Sequence, residues 1–320
     1  MADPLSGISS RLDFLIAASP TPAMLSQVAF FRMCLNALGG SYANARLVVT
    51  LGDHAVESLP GNWRRHFDGI EVEWAHAPGA ENPLYRAQHI RRFEVFRPDA
   101  DVVVMCDADV ALLRPFDNLI SDLRAKPAIA GVIAHLPFAI GTTEPVPINQ
   151  RTPEKDWREL SQKYLGKPID CPHRFTLLDP DSDFRAPFYL NYGVVAGTPD
   201  VFAEFYREDS RIRDKLSADV GDWWGPQISL TLAVESGGLA SVALPMRYNF
   251  PNDPRADKLY PDELAEVIFL HYLRHTEFDR GKIFADPIAF DAFIGSDLSG
   301  SNEVFRRFVE QMTGGNFPFG

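Results

Sequence analysis

The sequence predicts an α/β fold with a mixed, mostly parallel central sheet and helices on both faces. Three observations predict it. Short apolar runs alternate with longer amphipathic ones through the first half of the chain. One run, residues 102–106 (VVVMC), is apolar at every position, as strands covered on both faces of a parallel sheet are. Gly and Pro punctuate the runs where helices and strands must stop.

Taken in order, residues 12–18 (LDFLIAA) read as a buried strand that Ser19-Pro20-Thr21-Pro22 ends. Residues 23–38 have helical spacing, with Leu25, Val28, Ala29 and Leu35 among the apolar positions, and Gly39-Gly40 terminates them. Residues 46–51 (RLVVTL) are a second strand, and 70–75 (IEVEWA) alternate as a third. Asn82-Pro83 opens a helix that runs to about Phe96 and stops before Pro98. Residues 102–106 and 128–134 (AIAGVIA) are further strands. Residues 137–187 are rich in Pro, Asp and charge, with one helix near 157–165. That stretch is too long for a plain connection and reads as a substrate-facing insertion within a single domain over 1–320. Residues 188–196 (FYLNYGVVA) form a strand. One helix starts at Pro199 and runs to Glu208; a second runs from Pro226 to Glu235 and ends at Gly237-Gly238. Residues 239–244 and 267–272 are short strands.

Bulk properties narrow the function classes. With 320 residues, 46% of them hydrophobic, the chain can bury a large core. A formal net charge of -12 makes it a poor general binder of nucleic acid or of anionic membrane. Cys34, Cys106 and Cys171 have no CxxC spacing, so neither a disulfide framework nor a zinc site is expected, and the compartment reads as reducing. No run approaches the roughly 20 apolar residues of a membrane span, and residues 1–11 lack a basic leader. The expected location is cytoplasmic, with no integral membrane segment.

The most informative stretch is Cys106-Asp107-Ala108-Asp109 at the end of the apolar strand. Ligands gather at the carboxyl ends of the strands in parallel sheets. In extended backbone, residues i and i+2 project to one side, so two carboxylates would repel there unless a cation joined them. Hard ions such as Mn²⁺ or Mg²⁺ take oxygen ligands and can bind a diphosphate in turn. The bare spacing also occurs at Asp99/Asp101, Asp179/Asp181 and Asp181/Asp183, so only the preceding strand sets Asp107 and Asp109 apart. The alternative is a strand ending in solvated acids that cap the next turn.

Several segments, in order, resemble the GT-A glycosyltransferases, and most closely the glycogenin and lipopolysaccharide galactosyltransferase-like group. They are Leu84-Tyr85-Arg86, then the strand into Asp107-x-Asp109, then Leu113-Arg114-Pro115-Phe116. Tyr189-Leu190-Asn191-Tyr192-Gly193-Val194, Pro226-Gln227, Leu244-Pro245 with Tyr248-Asn249, and Ile268-Phe269-Leu270-His271-Tyr272 follow. That group is retaining and uses UDP-sugars with Mn²⁺. The resemblance implies a Rossmann-like nucleotide-diphospho-sugar transferase fold. It also implies transfer of a sugar to a carbohydrate, lipid or protein hydroxyl, with residues 137–187 on the acceptor side. The chain departs from the group at three places: Ser19-Pro20 replaces an acidic residue after the first strand, Pro226 replaces the Asp before Gln227, and the His-x-x-Gly-x-x-Lys-Pro-Trp signature is missing after His271.

The resemblance assigns Asp107, Asp109 and His271 to the metal. Arg86, Asn191, Gly193 and Lys282 would join Asp107 at the donor. Gln227 and Asn191 would stand at the reacting centre. Each has a plainer reading: a core histidine, a solvated arginine or lysine, an Asn bonded to its own turn, a Gln bonded locally in its helix. Trp223-Trp224 can stack on a sugar or anchor the core. Two rival functions remain. One is a non-catalytic member of the fold that binds carbohydrate or a partner. The other is a sugar nucleotidyltransferase, which the missing Gly-rich basic loop after the first strand disfavours.

Overall fold

The computed structural model describes residues 10–53, 58–76, 84, 87, 91–138 and 151–320. From the N-terminus, β1 (Leu12–Ala18) leads into α1 (Pro22–Leu38), a short α2 (Gly40–Ala43), β2 (Arg46–Asp53) and β3 (Ile70–His76). Then come β4 (Val102–Cys106), β5 (Val110–Leu112), α3 (Asp117–Ala125) and β6 (Ile129–Ile133). Helix α4 (Pro153–Leu165) and the two-residue strands β7 (His173–Arg174) and β8 (Arg185–Ala186) precede β9 (Leu190–Gly197). Helix α5 (Pro199–Gly237), β10 (Ser241–Ala243), β11 (Phe250–Pro251), α6 (Pro254–Leu259), α7 (Pro261–Ala265) and β12 (Phe269–His271) follow. The chain closes with α8 (Pro287–Ile294) and α9 (Gly300–Thr313).

The central sheet has seven strands in the order β10-β6-β9-β4-β1-β2-β3. β1 pairs in parallel with β2 and with β4, β2 with β3, and β6 with β10. Only β9 is antiparallel, to β4 on one side and β6 on the other. The architecture is therefore the mixed, mostly parallel sheet expected, with β1, β4 and β6 buried at every position. The polar residue inside β1, Asp13, is buried at the opposite edge from the carboxyl ends. There Arg97 and Arg46 neutralise it at 2.6 and 3.3 Å.

A second sheet, β11-β12-β5, stands at the carboxyl edge. His271, the last residue of β12, lies opposite Val110 of β5. Tyr272, next along, is buried and stacks on Phe305 of α9 at 4.3 Å, while Phe284 stacks on Phe30 of α1 at 4.2 Å. These rings press the C-terminal segment onto α1.

Four expectations need correction. Residues 199–237 are one helix, so Pro226 lies inside it rather than opening a second. The cause is an i,i+4 stripe that crosses the proline: Ile212, Leu216, Val220, Trp224, Ile228 and Leu232 all pack in one cluster with α4. Thr198-Pro199 opens this helix and left-handed Gly238 closes it. The segment before β4 ends in a single 3₁₀ turn at Arg91–Phe93 instead of a helix to Phe96. The strands expected over 239–244 and 267–272 shrink to three residues each. Trp224 is half-buried against the core, and the Trp223 side chain lies outside what is described. Among the described residues no helix is long and apolar enough to cross a membrane.

Candidate metal and nucleotide site

β4 delivers its chain to the carboxyl edge beside the end of β1, Cys106 pairing with Ile16. The next backbone N–H, of Asp107, donates to Gly193 O of β9 at 3.0 Å, so the turn carrying Asp107 is tied to the antiparallel strand. Asp109 precedes β5, and its carbonyl accepts from Tyr272 N at 3.0 Å, which ties it to β12. Both acids are thus fixed by main chain before any side-chain contact is counted.

Ligand atoms of Asp107, Asp109 and His271 all lie within 4.8 Å of one another. His271 Nε2 is 3.2 Å from Asp109 Oδ1 and 3.9 Å from Asp107 Oδ2. His271 is buried, and its Nδ1 meets Asn249 Oδ1 at 3.2 Å. The Asn249 amide is oriented in turn, because its Nδ2 donates to Asn191 O at 3.3 Å. Its Oδ1 is therefore the acceptor, Nδ1 carries the imidazole proton, and Nε2 presents a lone pair to the two acids. Burial pushes the His271 pKa down; the Asp107 carboxylate opposes that and Arg274 adds to it. A neutral imidazole with a fixed tautomer beside two carboxylates suits Mn²⁺ or Mg²⁺ in donor type.

Gly193 makes room for this arrangement. A Cβ there would run into Cε1 and Nδ1 of His271. Asn191 Oδ1 accepts from Gly193 N at 3.0 Å, the local turn bond of an Asx residue. The Asn191–Gly193 stretch thus lies against the imidazole and shapes the floor of the site.

The remaining expected residues are spread more widely. Arg86 lies outside the described residues. Gln227, half-buried in α5, accepts from Tyr189 OH through Oε1 at 2.7 Å. Lys282 pairs with Asp279 at 3.4 Å and is largely exposed.

Two residues at the site went unmarked by sequence reasoning. Arg280, two positions before Lys282, forms an ion pair with Asp109 Oδ2, and its Nε donates to His275 Nε2 at 3.0 Å. Burial lowers its pKa while the Asp107 carboxylate raises it, so the guanidinium feels both acids. The other is His135, two residues past β6. Thr176 Oγ1 donates to Ile133 O at 3.3 Å and therefore accepts from His135 Nδ1 at 2.7 Å. His135 Nε2 is buried without a partner among the described residues, and burial takes its pKa down to about 3. Since β6 and β4 both flank β9 and run in the same direction, His135 and Asp107 follow strands that end at the same sheet edge. The signal was available: like Asp107, His135 directly follows an apolar run at the carboxyl edge.

No family model matches the chain, and no curated protein matches it. Solved structures do. The chain is similar to the WbbM bifunctional glycosyltransferase at a TM-score of 0.48 and 14% identity, over 85% of this chain but 47% of that one. It is similar to mouse xyloside xylosyltransferase 1 at 0.47 and 12%, over 84% of this chain and 99% of that one. It is also similar to the galactosyltransferase LgtC with donor and acceptor sugar analogs, at 0.45 and 15%, over 94% and 95% of the two chains. The three are a glycosyltransferase, a xylosyltransferase and a galactosyltransferase, each sharing 15% of its residues or fewer with this chain.

Proposed function

We propose that the chain is a glycosyltransferase that moves a sugar from a nucleoside-diphosphate donor, a UDP-sugar in the favoured reading, to a hydroxyl acceptor. The observation that carries this is the group Asp107, Asp109 and His271, with ligand atoms within 4.8 Å at the carboxyl edge of a mostly parallel sheet. Those three residues would hold Mn²⁺ or Mg²⁺. The donor set fits, the Asn249 bond exposes the right imidazole nitrogen, and the glycine at 193 leaves the ring its space. Such an ion supplies Lewis-acid stabilisation to a departing diphosphate.

The chain's own residues supply the rest. Arg280 offers a planar set of donors beside the acids, a shape suited to phosphate oxygens. In this role it stands closer to the acids than Lys282 does; Arg86 is retained as a second donor contact on the resemblance alone. Asn191 and His135 belong to segments at the same sheet edge and would suit sugar hydroxyls, the histidine accepting at Nε2 because Nδ1 holds its proton. Gln227 would act near the reacting centre through its Nε2, since Tyr189 fixes the carbonyl end. Residues 137–187 would meet the acceptor. Preorganised charge at the leaving group and positioning of the two substrates would provide most of the rate gain.

The test is a thermal-shift screen of UDP, GDP, ADP and CDP with and without Mn²⁺, followed by hydrolysis of the matching nucleotide sugars. The expected result is a rise in melting temperature that needs both nucleotide and metal, and slow Mn²⁺-dependent donor hydrolysis. Asp107→Asn should abolish both. Binding without hydrolysis or transfer would support a non-catalytic binding protein instead. No response to any nucleotide would overturn the proposal.

A further inference from the structure

The metal acid Asp109 is shared between two cationic or cation-seeking partners. Its Oδ1 faces His271 Nε2 at 3.2 Å, while its Oδ2 is held by Arg280. The Asp109 side chain is only 12% exposed, so the pairing sits where water screens it weakly. Two carboxylates, a neutral imidazole and one guanidinium carry a net charge of −1. Adding a divalent ion brings the group to +1 and sets two cations against one carboxylate. That repulsion is relieved if an anion takes over the guanidinium.

Arg280 is built to change partner. Its backbone is anchored: Gln27 Nε2 donates to Arg280 O at 3.0 Å, and Asp279 Oδ1 and O accept from Gly281 N and Lys282 N at 2.9 Å each. Phe284, close behind, is stacked on α1. The side chain itself is 29% exposed, and His275, its other contact, is largely exposed. A fixed root and a reachable head allow the guanidinium to swing while the loop stays in place.

We infer that Arg280 couples the two ligands of the site: it competes with the divalent cation for Asp109 and, once displaced, binds the diphosphate, so that each ligand strengthens binding of the other. This rests on the metal and nucleotide reading above. Linkage makes the effect reciprocal.

The experiment measures bound Mn²⁺ by electron paramagnetic resonance, alone and with UDP, GDP, ADP or CDP present, so activity is not needed. In the unaltered chain a binding nucleotide should raise Mn²⁺ affinity about tenfold or more, within the usual range of coupling between sites. Arg280→Ala should bind Mn²⁺ alone about five- to tenfold more tightly, because the competitor is gone, and the nucleotide's enhancement should shrink to about threefold or less. Arg280→Lys keeps the charge without the fork and should fall between. It also covers the case in which the alanine variant does not fold, which its melting temperature reports. If Arg280→Ala binds Mn²⁺ no more tightly and retains the full enhancement, the coupling role is overturned. If the unaltered chain binds no Mn²⁺ with any nucleotide, or Asp107→Asn binds it equally well, the metal reading fails first and takes this inference with it.

Discussion

The two sides of the Asp109 carboxylate differ in kind. On one side stands His271, buried, its tautomer set by Asn249 and its ring lying against Gly193. On the other stands Arg280, partly exposed and backed by a largely exposed histidine. The first side is preorganised and can only be disrupted. The second is adjustable and can exchange one anion for another. A site that held a cation and released a product, as proposed, would use both: rigidity where geometry decides affinity, and freedom where charge must move.

The contrast can be broken most forcefully at Gly193. Gly193→Ala places a methyl group inside the imidazole, so His271 must leave its position. Mn²⁺ affinity should fall by more than about 100-fold, past the range expected for loss of an outer partner. Mn²⁺ titration with melting curves separates that loss from unfolding. Next comes Asn249→Leu, which keeps bulk but removes the bond to Nδ1. Loss of the fixed tautomer should cost about 10- to 100-fold in Mn²⁺ affinity. An unchanged value would show that packing alone orients the ring.

The buried side also predicts a pH response. His135 titrates near 3 in the fold because burial disfavours its charge, against an ordinary value of 6.5. Above pH 6.5 neither state is charged there and no stability is lost. As pH falls below 6.5 the unfolded chain takes up a proton that the fold does not. Stability should then drop by up to about 1.4 kcal/mol per pH unit towards pH 3. Urea denaturation at pH 7 and pH 5 should show a loss of about 2 kcal/mol that His135→Gln removes. The smallest effect belongs to the adjustable side. His275→Ala deletes an exposed contact of Arg280 and should change Mn²⁺ affinity about twofold at most, as exposed polar contacts do.

The same division explains what could be read from the sequence. The Asp107/Asp109 pair announced itself because a wholly apolar strand must be buried and its end must meet the ligand edge. His271 was visible for the same reason at the end of β12. Arg280 was not, since it sits in a polar loop with no periodicity and owes its place to contacts with α1, over 250 positions away in sequence. The long helix α5 was misread at Pro226 because a proline suits a first turn as well as a tolerated interior site, and only the stripe from Ile212 to Leu232 decides between them.

The direction of β9 has a consequence for how such a chain can change. Because this one strand runs against its neighbours, the stretch feeding it leaves and re-enters at the same rim. Ala134 and Tyr189 close its neck, the N–H of the first donating to the carbonyl of the second at 2.8 Å. The segment between those two residues is also built into the core, Trp157 and Leu160 of α4 packing on the α5 stripe. A replacement segment would have to bring an equivalent apolar face, or α5 would lose the contacts that carry it through Pro226.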